Sequence, residues 1–186
     1  MINYFKSYIK LNREQEDFIS RFIQQEDFKK GELLFEEGQV CEKIFFVKSG
    51  LARIFFMNPD GRDVTEWFVP EENFSTTLNS FLSKQKSNMS CELLEDSSVS
   101  WIKYDDLITL LNHDHELAKL AFYILFELSG RIVDHYKDLK FQTAKEKYNA
   151  LIEQSSSILQ RVSSMHIASY LGITPETLSR IRAGKI

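Results

Sequence analysis

Apolar and polar residues first alternate with a helical period. Phe18 and Phe22, like Ile19 and Ile23, stand four apart, and Asn12 followed three residues later by Gln15 forms a capping-box pair. The spacing predicts a helix over 12–25. From residue 28 the period shortens. Strand-like runs occupy 32–35, 43–48, 51–57 and 63–69, punctuated by Gly31, Gly38, Gly50 and Gly61 at intervals of 7, 12 and 11 residues. Asn58-Pro59-Asp60-Gly61 is turn chemistry between two of these runs. Further strands are expected at 90–94 and 98–102. Short strands at this spacing predict an antiparallel sandwich or barrel.

Beyond residue 104 the period is helical again. A short helix is expected at 105–111, a long one over 114–140, and another over 143–154 that ends at Ser155-Ser156-Ser157. Residues 117–128 are apolar on nearly every side, which calls for two burial partners. Leu117, Ala121, Ile124, Leu128 and Ile132 fall 4, 3, 4 and 4 apart, close to a coiled-coil seam. These five are the expected dimer interface; the alternative is the core helix of a monomer. Gly130 lies inside this helix at a cost of about 1 kcal/mol relative to alanine.

The most informative stretch is 164–184. Two short helices crossing at a tight turn need a small residue in the first, here Ala168, and a glycine at the turn, here Gly172. Ile167, Leu171, Ile173, Leu178 and Ile181 supply the small core, and Thr174-Pro175 is a helix start. The pattern is helix-turn-helix. Its second helix would present Glu176, Thr177, Ser179, Arg180 and Arg182, side-chain types that read base edges and phosphates. The bland alternative is a hairpin that only packs.

Composition narrows the classes. The chain has 186 residues, 43% hydrophobic and 27% charged, which suits one large or two small globular domains. No apolar run reaches the roughly 18 residues of a membrane span, and the charged N-terminus is not a secretory signal. A cytoplasmic protein without membrane contact is expected. Cys41 and Cys91 are too few for a cysteine-ligated cluster and read as free thiols. His113-Asp114-His115 reads as a solvated loop, His135 as a helix-surface histidine, and His166 as a phosphate or water contact. Glu36 and Glu37 are expected on opposite faces of a strand. No nucleophile–base set or phosphate loop appears, so neither an enzyme, a metal nor a cofactor is expected. The net charge of −4 hides an asymmetry. Residues 161–186 hold Arg161, Arg180, Arg182 and Lys185 against Glu176, a balance of +3, which leaves −7 on the rest.

Taken together, the glycine-punctuated roll (FKKGELLFEEGQ…KIFFVKSGLARIFF…PDGRD), the long helix and the C-terminal helix-turn-helix resemble the Crp/Fnr transcription regulators. The resemblance implies an α+β fold: a cyclic-nucleotide-binding-type antiparallel β-roll (double-stranded β-helix or jelly-roll type) over 1–112, a dimerisation helix over 113–140 and a helix-turn-helix domain over 141–186. It implies a homodimer on double-stranded DNA at a two-fold-symmetric promoter site, RNA polymerase as a further partner, and an unidentified small-molecule effector. The family's base-reading pair falls on Glu176 and Arg180, within a DNA-binding set completed by Thr174, Thr177, Ser179 and Arg182. Pro175 replaces an arginine often found there. Cyclic-AMP-binding members carry Gly-Glu-Leu, then Arg-Ser-Ala; this chain has Thr76-Thr77-Leu78 and Lys86-Ser87-Asn88, and Glu72 replaces a glycine. The implied pocket of Thr76, Thr77, Lys86 and Ser87 is therefore degenerate, since lysine lacks arginine's bidentate fork. Cyclic AMP is not expected to bind. The alternative is a regulatory or ligand-binding module whose helical tail contacts a protein.

Overall fold

Strand pairing organises the N-terminal half. The computed structural model describes residues 1–185, without the side chains of residue 139 and residues 154–156. Two short helices, α1 (Ile2–Lys6) and α2 (Arg13–Ser20), lead into β1 (Gln24–Phe28), β2 (Leu33–Phe35), β3 (Lys43–Ser49), β4 (Ala52–Met57), β5 (Asp63–Val69) and β6 (Phe74–Ser75). Then come α3 (Leu78–Ser83), β7 (Ser90–Leu93) and β8 (Ser97–Lys103). The strands form two antiparallel four-stranded sheets, β1-β8-β3-β6 and β2-β7-β4-β5. Their facing sides bury Phe35, Phe45, Val47, Val69, Leu93 and Val99. Alternation along β3 turns Phe46 to the opposite face, where Tyr4 of α1 packs on it at 5.5 Å.

The glycines act through their backbone. Gly50 joins β3 to β4 at φ +106°, and a Cβ there would lie 2.0 Å from Ser97 Oγ. Only glycine meets both demands. At the β4–β5 turn, Asn58 Oδ1 accepts the amide N–H groups of Asp60 and Arg62, closing the turn as its sequence predicts.

The helical part comprises α4 (Tyr104–His113), α5 (His115–Phe141), α6 (Ala144–Arg161), α7 (Ser164–Leu171) and α8 (Pro175–Arg182). Ile167, Ala168, Leu171 and Leu178 share one buried cluster with Leu151, Ile158 and Val162, and with Leu51 and Phe68 of the roll. The C-terminal helices thus build their core partly on the sheet.

Two predicted elements differ. The helix expected over 12–25 stops at Ser20, and residues 24–28 are the edge strand β1. Its residues pair one for one with Trp101–Ser97, so ladder hydrogen bonds outweigh local helical periodicity. The helix expected to end at Ser155 runs on to Arg161, because burial of Ile158 and Val162 repays the weak propensity of the serines. Helices α1 and α3 and strand β6 carry no pattern strong enough to announce them.

Candidate nucleic-acid interface

Local chemistry sets the helix pair. Ser163 caps α7 by accepting the His166 amide at 3.2 Å, and Gly172 ends it at φ +68°. Thr174 caps α8 by accepting the Thr177 amide at 3.2 Å, with Pro175 at the first helical position. Leu178 and Ile181 are buried against α7 and its neighbours. That orientation leaves Thr174, Glu176, Ser179, Arg180 and Arg182 exposed and Thr177 half-buried. Hydrogen bonds from its own first-turn amide and from Thr174 hold the Glu176 carboxyl below its usual pKa, keeping it an acceptor. Arg182 Nη1 donates to Ser164 Oγ at 2.8 Å, apart from Arg180.

Arg161, the first cation of the basic tail, turns toward the roll. Its guanidinium pairs with Glu95 at 2.6 Å and Glu71 at 2.7 Å, both on the roll. The outward cations of the tail are therefore Arg180, Arg182 and Lys185. Beside this clamp, Ser169 Oγ accepts the Thr65 amide, and Tyr170 packs on Phe68 with ring centroids 5.1 Å apart. Arg53 of β4 is 3% exposed, and its guanidinium donates to Glu92 Oε1 at 2.6 Å, Asp63 Oδ1 at 2.6 Å and Thr65 Oγ1 at 2.9 Å. Glu92 is its cross-strand partner on β7. Sequence reasoning missed this pairing; the available signal was one arginine inside the apolar run of β4.

The predicted pocket residues fall on both sides of one segment, residues 38–43. Thr76 Oγ1 donates to the Lys43 carbonyl at 3.2 Å and touches Cys41 Sγ at 3.4 Å. Ser87 exchanges backbone hydrogen bonds with Gly38 and Gln39, and its hydroxyl donates to the Met89 carbonyl at 2.7 Å. Thr77 is buried, and its hydroxyl has no hydrogen-bond partner. Lys86 is exposed and bridges Val40 through its backbone. Two of the four polar groups are thus spent on the protein's own carbonyls, and none of the four is a carboxylate.

The long helix departs from the predicted seam. Leu117 is turned into its own chain, buried with Ile19, Ile102 and Leu110, because the start of α5 lies against α4 and α2. It is not available to a partner. Ala121, Ile124 and Leu128 are half-buried, and Ile132 is 58% exposed. Around them Phe122, Phe126, Tyr136 and Phe141 expose an apolar surface further along the helix, with Phe126 71% exposed.

The 113–115 run, His135 and the Glu36-Glu37 pair resolve differently from expectation, whereas the two cysteines are the free thiols expected. The histidine-rich run at 113–115 is a helix junction: Asp114 caps α5 and accepts Gln15 Nε2 at 2.6 Å, while the His113 ring lies 4.1 Å from that of Phe18. Among the described residues no histidine, cysteine and carboxylate group has metal-binding geometry. His135 is half-buried rather than open to solvent; Trp67 packs edge-on against it at 4.4 Å. Glu36 and Glu37 follow β2 in a turn. Cys41 and Cys91 are free and buried, and burial pushes the Cys91 thiol up to about 12. Among the described residues no helix is long and apolar enough to cross a membrane.

Residues 25–114 match the family described as cyclic nucleotide-binding domain. The nitrogen fixation regulation protein FixK of Azorhizobium caulinodans is 25% identical over 82% of this chain, which spans 65% of that relative's length. The transcriptional activator protein Anr of Pseudomonas protegens is 26% identical over 93% of this chain and 75% of its own. The solved structure of a crp/fnr-family regulator from Eubacterium rectale superposes with a TM-score of 0.73, at 19% identity, over 96% of this chain and 85% of that one. A roll with a cyclic nucleotide-binding-domain match, a long helix and a terminal helix pair in this order make the chain similar to the Crp/Fnr regulators.

Proposed function

We propose that the protein is a DNA-binding transcription regulator that works as a cytoplasmic homodimer on a two-fold-symmetric promoter site, with RNA polymerase as a further partner. The observation that carries this reading is the outward surface of α8, where Glu176, Ser179, Arg180 and Arg182 stand exposed over a buried Leu178 and Ile181. A guanidinium and a carboxylate one turn apart on a capped helix suit guanine and cytosine edges in a major groove. The names of FixK and Anr support the regulatory reading. The exposed aromatics of α5 support the dimer, which would pair two such helices at a fixed spacing.

The roll acts as scaffold or sensor without cyclic AMP. Thr77 and Lys86 stand where cyclic-AMP-binding members have a glutamate and an arginine, and the Thr76 and Ser87 hydroxyls are engaged internally. No catalytic role is assigned. A mobility shift on the DNA upstream of the protein's own gene tests the reading. Retardation of that DNA over competitor is expected, weakening steeply with salt at about −0.9 log units per neutralised phosphate. Absence of any shift at low salt sinks it and favours a helical tail that contacts a protein.

A further inference from the structure

Helix α7 meets the roll through polar as well as apolar contacts. Ser169 Oγ accepts the Thr65 amide at 2.9 Å, on the outer side of β5, the last strand of its sheet. Tyr170 packs on Phe68 with ring centroids 5.1 Å apart. Two half-buried histidines border this contact. His166 stands three residues before Ser169, on the same helix face. His135 of α5 stacks with Tyr170 at 5.5 Å and meets Trp67 of β5 edge-on at 4.4 Å.

Neither setting suits a positive charge. Burial is the largest influence on both rings and lowers both pKa values. Around His166, Arg53 of β4 and Lys30 of the β1–β2 turn disfavour the charged form, while Asp63 of β5 and Glu92 of β7 favour it. Both carboxylates already accept hydrogen bonds from Arg53. His166 also lies in the first turn of α7, where the positive end of the helix dipole disfavours a cation. Arg182 of α8 is turned to Ser164, and Arg161 of α6 to Glu71 and Glu95. Around His135, Asp138 on its own helix favours the charged form and Lys147 of α6 disfavours it. Arg131 and Asp134 of α5 stand on the same wall, and α7 presents the Tyr170 hydroxyl, 3.5 Å from His135 Nδ1.

We propose that His135 and His166 form an acid-released latch, which holds α7 on β5 while both rings are neutral and frees the helix pair from the roll when they take up protons. Each ring binds its proton more readily once the contact opens. Docking is therefore complete above the free imidazole value, about 6.5, and weakens as pH falls below it. The Arg161–Glu71 clamp is lost only at lower pH, because the Glu71 carboxyl is held below its usual value. The latch acts within one chain, whatever α8 binds.

Hydrogen exchange on the full-length ¹⁵N-labelled protein reads the latch through the Thr65 amide, bonded to α7. The Val47 amide, bonded to the Asn73 carbonyl at 3.0 Å within the roll, is the control. A ring that takes its proton only when undocked weakens docking about tenfold at about one pH unit below its free value. Thr65 protection, measured against an unstructured amide at the same pH, should fall about tenfold between about pH 7.5 and about pH 5.5, with Val47 unchanged. His135→Phe combined with His166→Gln should keep Thr65 equally protected over that range. In the unaltered protein both ring signals, assigned with the single variants, should titrate below about 6.5; where the double variant does not fold, these titrations decide. Constant Thr65 protection in the unaltered protein, or a loss that Val47 shares, overturns the proposal. So does either ring titrating at or above its free value, or a loss of Thr65 protection that survives in the double variant.

Discussion

Arg161, at the end of α6, closes a two-oxygen grip on Glu71 of the roll, with Nη2 2.7 Å from Oε1 and Nη1 3.1 Å from Oε2. Burial alone would raise the Glu71 carboxyl. Hydrogen bonds from Arg161 and from the amides of Glu71 and Gly50 outweigh it and hold the pKa below its usual value. A depressed carboxylate contributes stability that is complete above its unfolded pKa, near 4.3, and is lost as pH falls through the folded value. Urea denaturation of the protein should show that loss below about pH 4, and Glu71→Gln should flatten it. Because the pair is partly exposed, Arg161→Ala should cost only about 1 kcal/mol at pH 7. An unchanged acid limb in Glu71→Gln would show that the clamp does not couple to protonation.

Gly50→Ala should destabilise the fold by about 2–4 kcal/mol, since it combines a left-handed backbone with overpacking against Ser97. Adding Ser97→Gly should recover part of the loss by removing the nearest two atoms. Thermal melts of the single and double variants check this. A single variant that melts with the parent would refute the contact.

The apolar surface of α5 predicts where dimer-breaking changes belong. Charged residues at Phe126 and Ile132, 71% and 58% exposed, should yield monomers by sedimentation without loss of the roll. Leu117→Asp should instead unfold the α4–α5 junction, because its side chain is buried within the chain. Unaltered sedimentation of the Phe126/Ile132 variant would move the interface elsewhere.

Calorimetry with cyclic AMP should show no binding at micromolar affinity, which corresponds to about −8 kcal/mol. Lys86 offers a single exposed point charge where a fork would be required, and Thr77 offers a hydroxyl in place of a carboxylate. Micromolar affinity would overturn the reading of a degenerate pocket.

Arg180→Ala should relax preference at one base pair per half-site, worth about 1–3 kcal/mol of discrimination. Arg182, held by Ser164 away from Arg180, should contribute through phosphate, so Arg182→Ala should weaken all sequences alike. Binding-site selection with both variants separates the roles. Wild-type sequence preference in Arg180→Ala would remove this residue from base reading.

The sequence alone determined whatever is settled within a few residues. Thr174-Pro175 starts α8, Gly172 ends α7, Asn12 with Gln15 starts α2, and Asn58 to Gly61 turns the chain, each through a local dihedral or a hydrogen bond to a near neighbour. The outward set on α8 followed, because burying Leu178 and Ile181 fixes which residues remain outside. Tertiary structure alone decided the rest. β1 is a strand because β8 offers it a ladder, and α6 extends because Ile158 and Val162 find a core. Leu117 faces inward because Ile19 and Ile102 wait there, and Arg161 leaves the basic tail for Glu71 and Glu95. Arg53 is tolerated in a buried strand because Asp63 and Glu92 reach it from two neighbouring strands. In each case the stabilising partner is distant along the chain, and periodicity records only that a side chain is apolar or charged, not which surface will meet it.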